Sequence, residues 1–154
     1  MQSPDVSIKS IAWSPGGADN GEIRDGLSDQ TIRVMDDYSH DGPFGAEGWS
    51  PDGKEIISVD LSDLVIWDAN TGATIWKTPF DGNGNIFISW SPDGKYIAWT
   101  NDGLGGMATA ASGAMIESFQ TSDGIGFDAL AWPPHGHCIA TASGGAIQLW
   151  QAPS

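Results

Sequence analysis

The sequence predicts an all-β protein made of successive small antiparallel sheets, and three observations support this prediction. Turns related to Trp-Ser-Pro-Asp-Gly-Lys begin at Trp13, Trp49, Trp90 and Trp132, at intervals of 36, 41 and 42 residues. Runs rich in valine, isoleucine, threonine and aromatic residues flank the turns, as is typical of strands. No segment shows a sustained helical period. Repeats of this length indicate a row of similar structural units.

The best-defined copy of the turn lies within residues 86–99, where two apolar runs flank the pentapeptide SPDGK at 91–95. Proline presets one turn dihedral and glycine supplies a positive φ, so this pentapeptide can reverse the chain between two strands. The pattern therefore predicts a β-hairpin.

The second copy of the pattern is the most complete. After the hairpin at Trp49, residues 55–59 and 64–68 are predicted strands, joined by a turn at 60–63. The tripeptide Asn-Thr-Gly at 70–72 then turns the chain into a further strand at 73–78. Together these segments predict a four-stranded antiparallel meander.

This meander, whose third strand ends in Trp67-Asp68, resembles a WD40 repeat, the blade of a β-propeller. Residues 32–36 (IRVMD) and 147–150 (IQLW) occupy the same third-strand place, whereas the third copy has Ala108 at the tryptophan position. The resemblance covers almost the whole chain. It implies β-propeller blades of four-stranded antiparallel meanders, about four per chain, in a non-enzymatic scaffold that binds proteins or peptides.

The repeat spacing divides the chain into four predicted blades, at about residues 6–43, 44–80, 81–122 and 123–154. The first copy has 22 residues from Trp13 to Met35, against 18 from Trp49 to Trp67, which predicts an enlarged turn at 16–22. Only 14 residues then separate Met35 from Trp49, so we expect the first blade to be short at its rim. We expect the fourth blade to lack its outer strand.

The resemblance also implies a buried chain of hydrogen bonds, because WD40 blades are typically tied together by His, Asp, Ser or Thr, and Trp. It places His40, Ser58 and Trp67 in such a chain in the second blade. Asp81 and Asp123 take the histidine place in the third and fourth copies. We therefore expect the network to be incomplete in every blade, and incomplete buried networks reduce stability.

Glu47 is the main exception to the apolar pattern of the first strands. It lies two residues before Trp49, where the other copies have Ile11, Ile88 and Leu130. A buried charge without a partner is costly. Glu47 therefore lines the central channel, pairs with His40 or Arg33, or faces a chain boundary, and we favour a structural role.

The charge of the chain limits its partners. Six basic and twenty acidic residues give a formal charge of −14, which repels nucleic acid and anionic membranes and attracts basic peptides or proteins. Loops entering the first strands and loops joining second to third strands should share one mouth of the ring. Seven aspartates lie in these loops: Asp29, Asp41, Asp60, Asp63, Asp81, Asp102 and Asp123. We expect them either to bind a basic peptide or simply to form turns.

Four blades of this family span about half a circle, because WD40 rings usually contain seven or eight. Half a ring would leave two apolar terminal faces, which soluble monomers rarely expose. We therefore expect a head-to-tail homodimer that forms an eight-bladed ring. The rival to this dimer is a strained four-bladed monomer. The alternative to the function as an interaction scaffold is a purely structural, self-assembling half-propeller, evolved or engineered, with no specific ligand.

We expect no catalytic residue, cofactor or metal, because the chain has no nucleophile motif, phosphate-binding loop or zinc-protease helix. His135, His137 and Cys138 are metal-binding residue types, but they occupy one turn and a strand start without a distant third ligand. A single cysteine and the lack of an apolar span of about 18 residues favour a cytoplasmic protein. Trp76 and Trp99 lack counterparts in the other copies and are interpreted as blade packing or interface anchors.

Overall fold

A computed structural model describes residues 22–24, 31–34, 47–60, 63–80, 85–121, 124–134 and 138–152. These residues contain strands and turns and no helix. The strands are β1 (Glu22–Arg24), β2 (Thr31–Val34), β3 (Glu47–Trp49), β4 (Glu55–Asp60), β5 (Asp63–Asp68), β6 (Thr74–Pro79), β7 (Phe87–Trp90), β8 (Tyr96–Asn101), β9 (Leu104–Thr109), β10 (Met115–Gln120), β11 (Ala129–Ala131), β12 (Cys138–Ser143) and β13 (Ala146–Gln151). The predicted all-β class is confirmed.

Neighbouring strands pair in chain order to form four antiparallel sheets. The first sheet contains β1 and β2, the second β3 to β6, the third β7 to β10, and the fourth β11 to β13. The innermost strand β7 contacts both β3 and β11, so the first strands of the second, third and fourth sheets lie side by side. This is the arrangement of propeller blades.

The predicted hairpin turns have the expected geometry. Gly53 and Gly94 have φ angles of 71° and 72°, a region that glycine enters at little steric cost. In each turn the glycine N–H donates to the backbone oxygen of the serine that starts the turn, at 2.9 Å. The repeated sequence thus builds the same turn twice.

The registers of β4–β5, β8–β9 and β12–β13 establish which residues are equivalent in the three sheets. Ile56 pairs with Trp67, Ile97 pairs with Ala108, and Ile139 pairs with Trp150. The prediction that Ala108 occupies the tryptophan position of the third copy is therefore confirmed.

Each sheet has two faces that pack against different neighbours. We call the side that contacts the next sheet along the chain the forward face, and the opposite side the backward face. Cross-strand partners share a face, and the forward face of the second sheet carries Ile57, Val59, Leu64 and Ile66, each at most 2% exposed. These side chains pack in one core with the backward face of the third sheet, which includes Ile97.

A second inter-sheet core lies between the third and fourth sheets. Ala98 and Met107 from the forward face of the third sheet pack with Ile139 and Trp150 from the backward face of the fourth. The Phe119 ring stacks on Trp150 with their centroids 4.7 Å apart. The sheets are therefore joined by apolar side chains from facing surfaces, as in a row of blades.

The first copy is described only through β1 and β2. The predicted third strand at 32–36 is observed as β2 (Thr31–Val34), and the predicted enlarged turn at 16–22 lies almost entirely outside the described residues. No helix in the described part of the chain is long and apolar enough to cross a membrane.

Candidate interaction surfaces

Turns and loops from successive sheets lie along one edge, which we call the mouth edge. In the third and fourth sheets it comprises the β8–β9 turn, the segment 124–128 that leads into β11, and the β12–β13 turn. Gly126 lies against the β8–β9 turn, since a Cβ built on it would stand 3.9 Å from the Cα of Asp102. The sequence predicts that turns between second and third strands meet the loops that enter first strands. Such a meeting is present between the third and fourth sheets.

Ser143 holds two of these segments together. Its hydroxyl lies 3.3 Å from the carbonyl oxygen of Ile125 and 3.1 Å from that of Gly126, and it donates to them from the end of β12. Ser143 is only 7% exposed, and buried side-chain hydrogen bonds of this kind restrict a loop. These hydrogen bonds therefore fasten the segment at 125–126 to the end of β12.

The aspartates predicted at the mouth fall into three groups. Asp63 and Asp102 are described with their side chains; Asp102 is exposed, and a carboxylate oxygen of Asp63 lies 3.7 Å from the Lys77 ammonium. Asp60 is described only as the last backbone position of β4. The remaining predicted members lie outside the described residues: Asp29, Asp41, Asp81 and Asp123.

Two apolar residues at the mouth edge were not singled out from the sequence. Leu104 is 54% exposed at the start of β9, and Ile125 is 50% exposed in the segment that leads into β11. They belong to the two segments that meet beside Asp102. Their exposure could be recognised only after the turns were placed, because apolar residues at strand ends are usually buried.

The second and fourth sheets each contain a hydrogen bond from a tryptophan indole to a buried hydroxyl residue. The indole N–H of Trp67 donates to the Ser58 hydroxyl at 2.8 Å, and that of Trp150 donates to the Thr141 hydroxyl at 2.9 Å. Thr141 was missed from the sequence, although it holds the same repeat position as Ser58. His40 lies outside the described residues.

Glu47 opens β3 and pairs in register with Ser58. Only its backbone is described, so its predicted pairing with His40 or Arg33 lies outside the described side chains. The adjacent backbone oxygen of Gly48 accepts a hydrogen bond from the Trp90 indole at 3.1 Å, which links the second sheet to the third.

The two tryptophans without counterparts in other copies are packed between blades. Trp76 is half-buried, and its indole N–H donates to the backbone oxygen of Ala110 in the third sheet at 2.7 Å. Trp99 makes an edge-to-face contact with Phe80, with ring centroids 4.9 Å apart. Of the two interpretations, the structure favours blade packing over exposed anchors.

The edge opposite the mouth carries the repeated Ser-Pro-Asp-Gly-Lys turns. The Ser50 hydroxyl donates to Asp52 at 2.8 Å and the Ser91 hydroxyl donates to Asp93 at 2.7 Å. An open cleft of about 340 Å³ lies between the turns and is lined by Ser50, Pro51, Asp52, Glu55, Pro92, Asp93 and Gly94.

These hydrogen bonds change the acidity of the turn carboxyls. The side chain of Lys54, followed by Ser50, lowers the pKa of Asp52 to about 2. For Asp93 the Ser91 hydroxyl is the main cause, and the pKa is again about 2. Burial, followed by the negative charges of Asp52 and Asp68, raises the pKa of Glu55. Because the pKa values of Asp52 and Asp93 are about 2, both carboxyls are ionised at all physiological pH values.

The forward face of the fourth sheet is an exposed apolar surface, which we call the open flank. Ile147 is 77% exposed and Leu149 is 69% exposed. The β11–β12 and β12–β13 registers place six apolar residues on this face: Ala129, Ala131, Ala140, Ala142, Ile147 and Leu149. In the described part of the chain, β13 pairs with β12 alone.

No group of three or more His, Cys, Asp or Glu side chains in the described residues could hold a metal ion. Cys138 is a half-buried free thiol at the start of β12, and His135 and His137 lie outside the described residues.

Comparison with known proteins identifies the repeat. The model of the family "WD domain, G-beta repeat" matches residues 116–151, which run from the outer strand of the third sheet through all three strands of the fourth. The matched repeat therefore begins one strand earlier than the fourth sheet and links the third sheet to the fourth.

Two curated relatives are similar to this chain. "Centriole proteome protein 16" of Chlamydomonas reinhardtii is 23% identical over 151 residues, covering 96% of this chain and 7% of the relative. "WD repeat-containing protein AAC3" of Dictyostelium discoideum is 38% identical over 66 residues, covering 41% of this chain and 14% of the relative. The chain thus spans a small part of each relative.

Among solved structures, a chain in the crystal structure of the mitotic checkpoint complex superposes with a TM-score of 0.74 at 18% sequence identity. The match covers 94% of this chain and 49% of the other. At this identity the similarity concerns the fold, and this chain corresponds to about half of that one.

Proposed function

Because this chain belongs to the WD40-repeat proteins and has their β-propeller-like fold, we propose that it is a non-enzymatic scaffold that binds a basic peptide or protein at its mouth edge. The proposal includes self-association with a second copy to complete a ring. WD40 propellers are generally scaffolds for protein interaction, so the class follows from the family. The parts of the proposal that are specific to this chain are the binding of a basic partner at the mouth edge and the self-association with a second copy.

The observation that carries the mouth proposal is the grouping of an exposed carboxylate with two exposed apolar side chains. Asp102 lies in the β8–β9 turn, Leu104 follows it, and Ile125 belongs to the segment packed beside it. A peptide with a lysine or arginine next to an apolar residue fits this chemistry. The net charge of −14 would steer such a peptide toward the protein.

Preorganisation supports the same surface. The Ser143 hydrogen bonds tie the β12–β13 turn to the segment that carries Ile125, so little loop entropy is lost when a partner binds. The proposal also includes the other aspartates that the sequence predicts at the mouth, namely Asp29, Asp41, Asp60, Asp63, Asp81 and Asp123.

The mouth proposal is tested by titrating a fluorescent peptide rich in lysine and leucine at two salt concentrations. We expect binding at low salt that weakens as salt rises, and a loss of at least about tenfold in affinity for Asp102→Asn combined with Leu104→Ser. Asp93→Asn is the matched control, because Asp93 lies on the opposite edge. Binding that is absent at low salt, or equally reduced by the control, would leave the purely structural alternative.

The observation that supports self-association is the apolar open flank, where Ile147 is 77% exposed and Leu149 is 69% exposed. Two copies in head-to-tail order would supply the eight blades of a closed ring, with blade boundaries near residues 44, 81 and 123. A heterologous contact that closes on itself satisfies both ends of each chain. Light scattering after size exclusion should give about 32 kDa, twice the chain mass of 16.2 kDa.

A particle of the single-chain mass at every concentration would instead support the strained four-bladed monomer. The proposal also includes a cytoplasmic location, which the single cysteine favours. Fractionation of cells that express the native protein would test this part independently of the mass.

A further inference from the structure

The outer strands of the second and third sheets, β6 and β10, have the same pairing geometry. Pro79 of β6 pairs with Asp63 as Gln120 of β10 pairs with Leu104, so Pro79 and Gln120 hold equivalent positions. Among the described strands, β6 pairs with β5 alone and β10 pairs with β9 alone. Each outer strand therefore presents one edge of backbone N–H and C=O groups to which a further strand could pair.

The groups that point to the free edge of β10 can be identified from its last hydrogen bond to the third strand. The Thr121 N–H donates to the backbone oxygen of Gly103 at 3.0 Å. Hydrogen-bonded pairs alternate along an antiparallel ladder, so Phe119 bonds to β9, whereas the N–H and C=O groups of Ser118 and Gln120 point outward. The proline at the equivalent position of β6 agrees with this assignment, because proline has no N–H to give to the ladder.

The free edge of β6 is protected against strand addition, and that of β10 is not. β6 carries Lys77 and Pro79 at its outward positions, and lysine and proline are residues that block pairing at exposed edges. β10 carries Ser118 and Gln120 at these positions. Phe119 between them is only 6% exposed and stacks on a tryptophan of the fourth sheet, which fixes the strand in place.

The side chains of β10 indicate which kind of strand would pair with it. Glu117 is exposed on the forward face, and Met115 is 55% exposed on the backward face. A residue placed opposite Glu117 would share its face, and the next residue would share the face of Met115. Residues 96–154 contain acidic residues but no lysine or arginine. An extended segment with alternating basic and apolar residues therefore fits this edge.

We propose that the outer edge of β10 binds an extended segment of a basic partner protein, which adds to the four-stranded third sheet as a fifth strand. Backbone hydrogen bonds to Ser118 and Gln120 supply affinity, and the alternating side chains supply specificity. A second copy of this chain fits less well, because pairing β10 with itself would bring two Glu117 carboxylates together. The site is additional to the mouth edge and the open flank and depends on neither.

The test is a titration of the full-length protein with a fluorescent peptide of alternating lysine and valine. Gln120→Pro removes the outward N–H and should weaken binding at least about tenfold, whereas Gln120→Ala keeps that N–H and should stay within about twofold of the parent. Circular dichroism checks folding, which the natural Pro79 in β6 indicates will tolerate proline at this position. Equal losses in the two variants, or no loss in the proline variant, would overturn the inference.

Amide hydrogen exchange of the wild-type protein, followed by NMR, tests the same edge if the proline variant fails to fold. Saturating peptide should slow exchange of the Ser118 and Gln120 amides at least about tenfold. The Lys77 amide at the protected edge of β6 is the matched control and should not change. Unchanged exchange at both β10 amides would overturn the inference.

Two further outcomes separate this site from the other surfaces. Peptide binding that is lost in Asp102→Asn and kept in Gln120→Pro would place the peptide at the mouth edge and overturn the inference. Loss in Gln120→Pro without loss in Asp102→Asn would support the β10 edge and leave the mouth proposal unsupported. Slow exchange of the β10 amides that depends on protein concentration without peptide would assign the edge to a second copy and overturn the inference.

Discussion

Trp99 of β8 lies directly opposite Gly106 of β9, and its indole ring fills the space that a Cβ on Gly106 would need, only 2.5 Å away. In the second sheet the same two positions hold Ser58 and Val65, and the large side chain is Trp67. The large indole side chain of this face is therefore on the third strand in the second sheet and on the second strand in the third sheet. Ala108 and Gly106 are small because Trp99 occupies their shared face.

The first prediction concerns Gly106. Gly106→Val, which installs the residue of the second sheet, should lower the free energy of unfolding by about 1–3 kcal/mol because the added atoms overlap the Trp99 ring. Gly48→Ala is the control, since a Cβ there would meet Trp90 at an ordinary 3.5 Å. Urea denaturation measures both. Equal effects of the two variants would show that the ring does not require glycine.

The second prediction is that the arrangement of the second sheet can be transplanted. Ala108→Trp alone should destabilise the protein by about 1–3 kcal/mol, because two indoles would compete for one space. Combining it with Trp99→Ser and Gly106→Val should recover at least half of that loss, with a hydrogen bond restored between the new indole and hydroxyl. Urea midpoints of the single and triple variants provide the measurement. A triple variant less stable than Ala108→Trp alone would contradict the equivalence of the two sheets.

The third prediction concerns the buried bond between Ser58 and Trp67. Ser58→Ala should cost about 1–3 kcal/mol, because it leaves the indole N–H of Trp67 buried without an acceptor. Ser58→Thr should cost less, since Thr141 accepts the Trp150 indole at the same repeat position. The coupling is measured with a double-mutant cycle that includes Trp67→Phe. Additive effects would mean that the hydrogen bond contributes nothing.

The fourth prediction concerns the turn carboxyls. Ser91→Ala should raise the pKa of Asp93 from about 2 toward the ordinary aspartate value of 3.8, and Lys54→Gln should do the same for Asp52. Both folded-state pKa values lie below the unfolded value, so each carboxylate favours folding above about pH 4. This contribution is lost as the pH falls from about 4 to about 2. Carboxyl carbon NMR titration of the parent and both variants measures these pKa values, and an unchanged Asp93 pKa in Ser91→Ala would contradict the assigned cause.

Much of the fold could be predicted because each copy of the repeat carries its own turn chemistry. The strands β4, β5 and β6 lie within one residue of the predicted segments at both ends. The equivalence of Trp67, Ala108 and Trp150 also followed from spacing alone. Hairpin turns and alternating apolar residues are local signals, and local signals can be read directly from a sequence.

The candidate surfaces were less accessible to sequence reasoning. Asp102 was predicted, whereas Leu104 and Ile125 beside it were not, because their exposure depends on which loops meet at the mouth edge. The role of Thr141 was missed for a related reason. A threonine in a strand is ordinary in sequence, and its hydroxyl becomes an indole acceptor only when Trp150 lies across the β12–β13 pair.

The sequence by itself determined the repeat, the strand order within each sheet and the acidic character of the chain, because turn residues, periodicity and charge act locally or by composition. Only the tertiary structure decided which side of each sheet is covered. Ile66 and Leu149 hold the same repeat position, yet the first is fully buried and the second is 69% exposed. Burial depends on whether another sheet is packed against a face, and that information resides in the packing of sheets rather than in any single repeat.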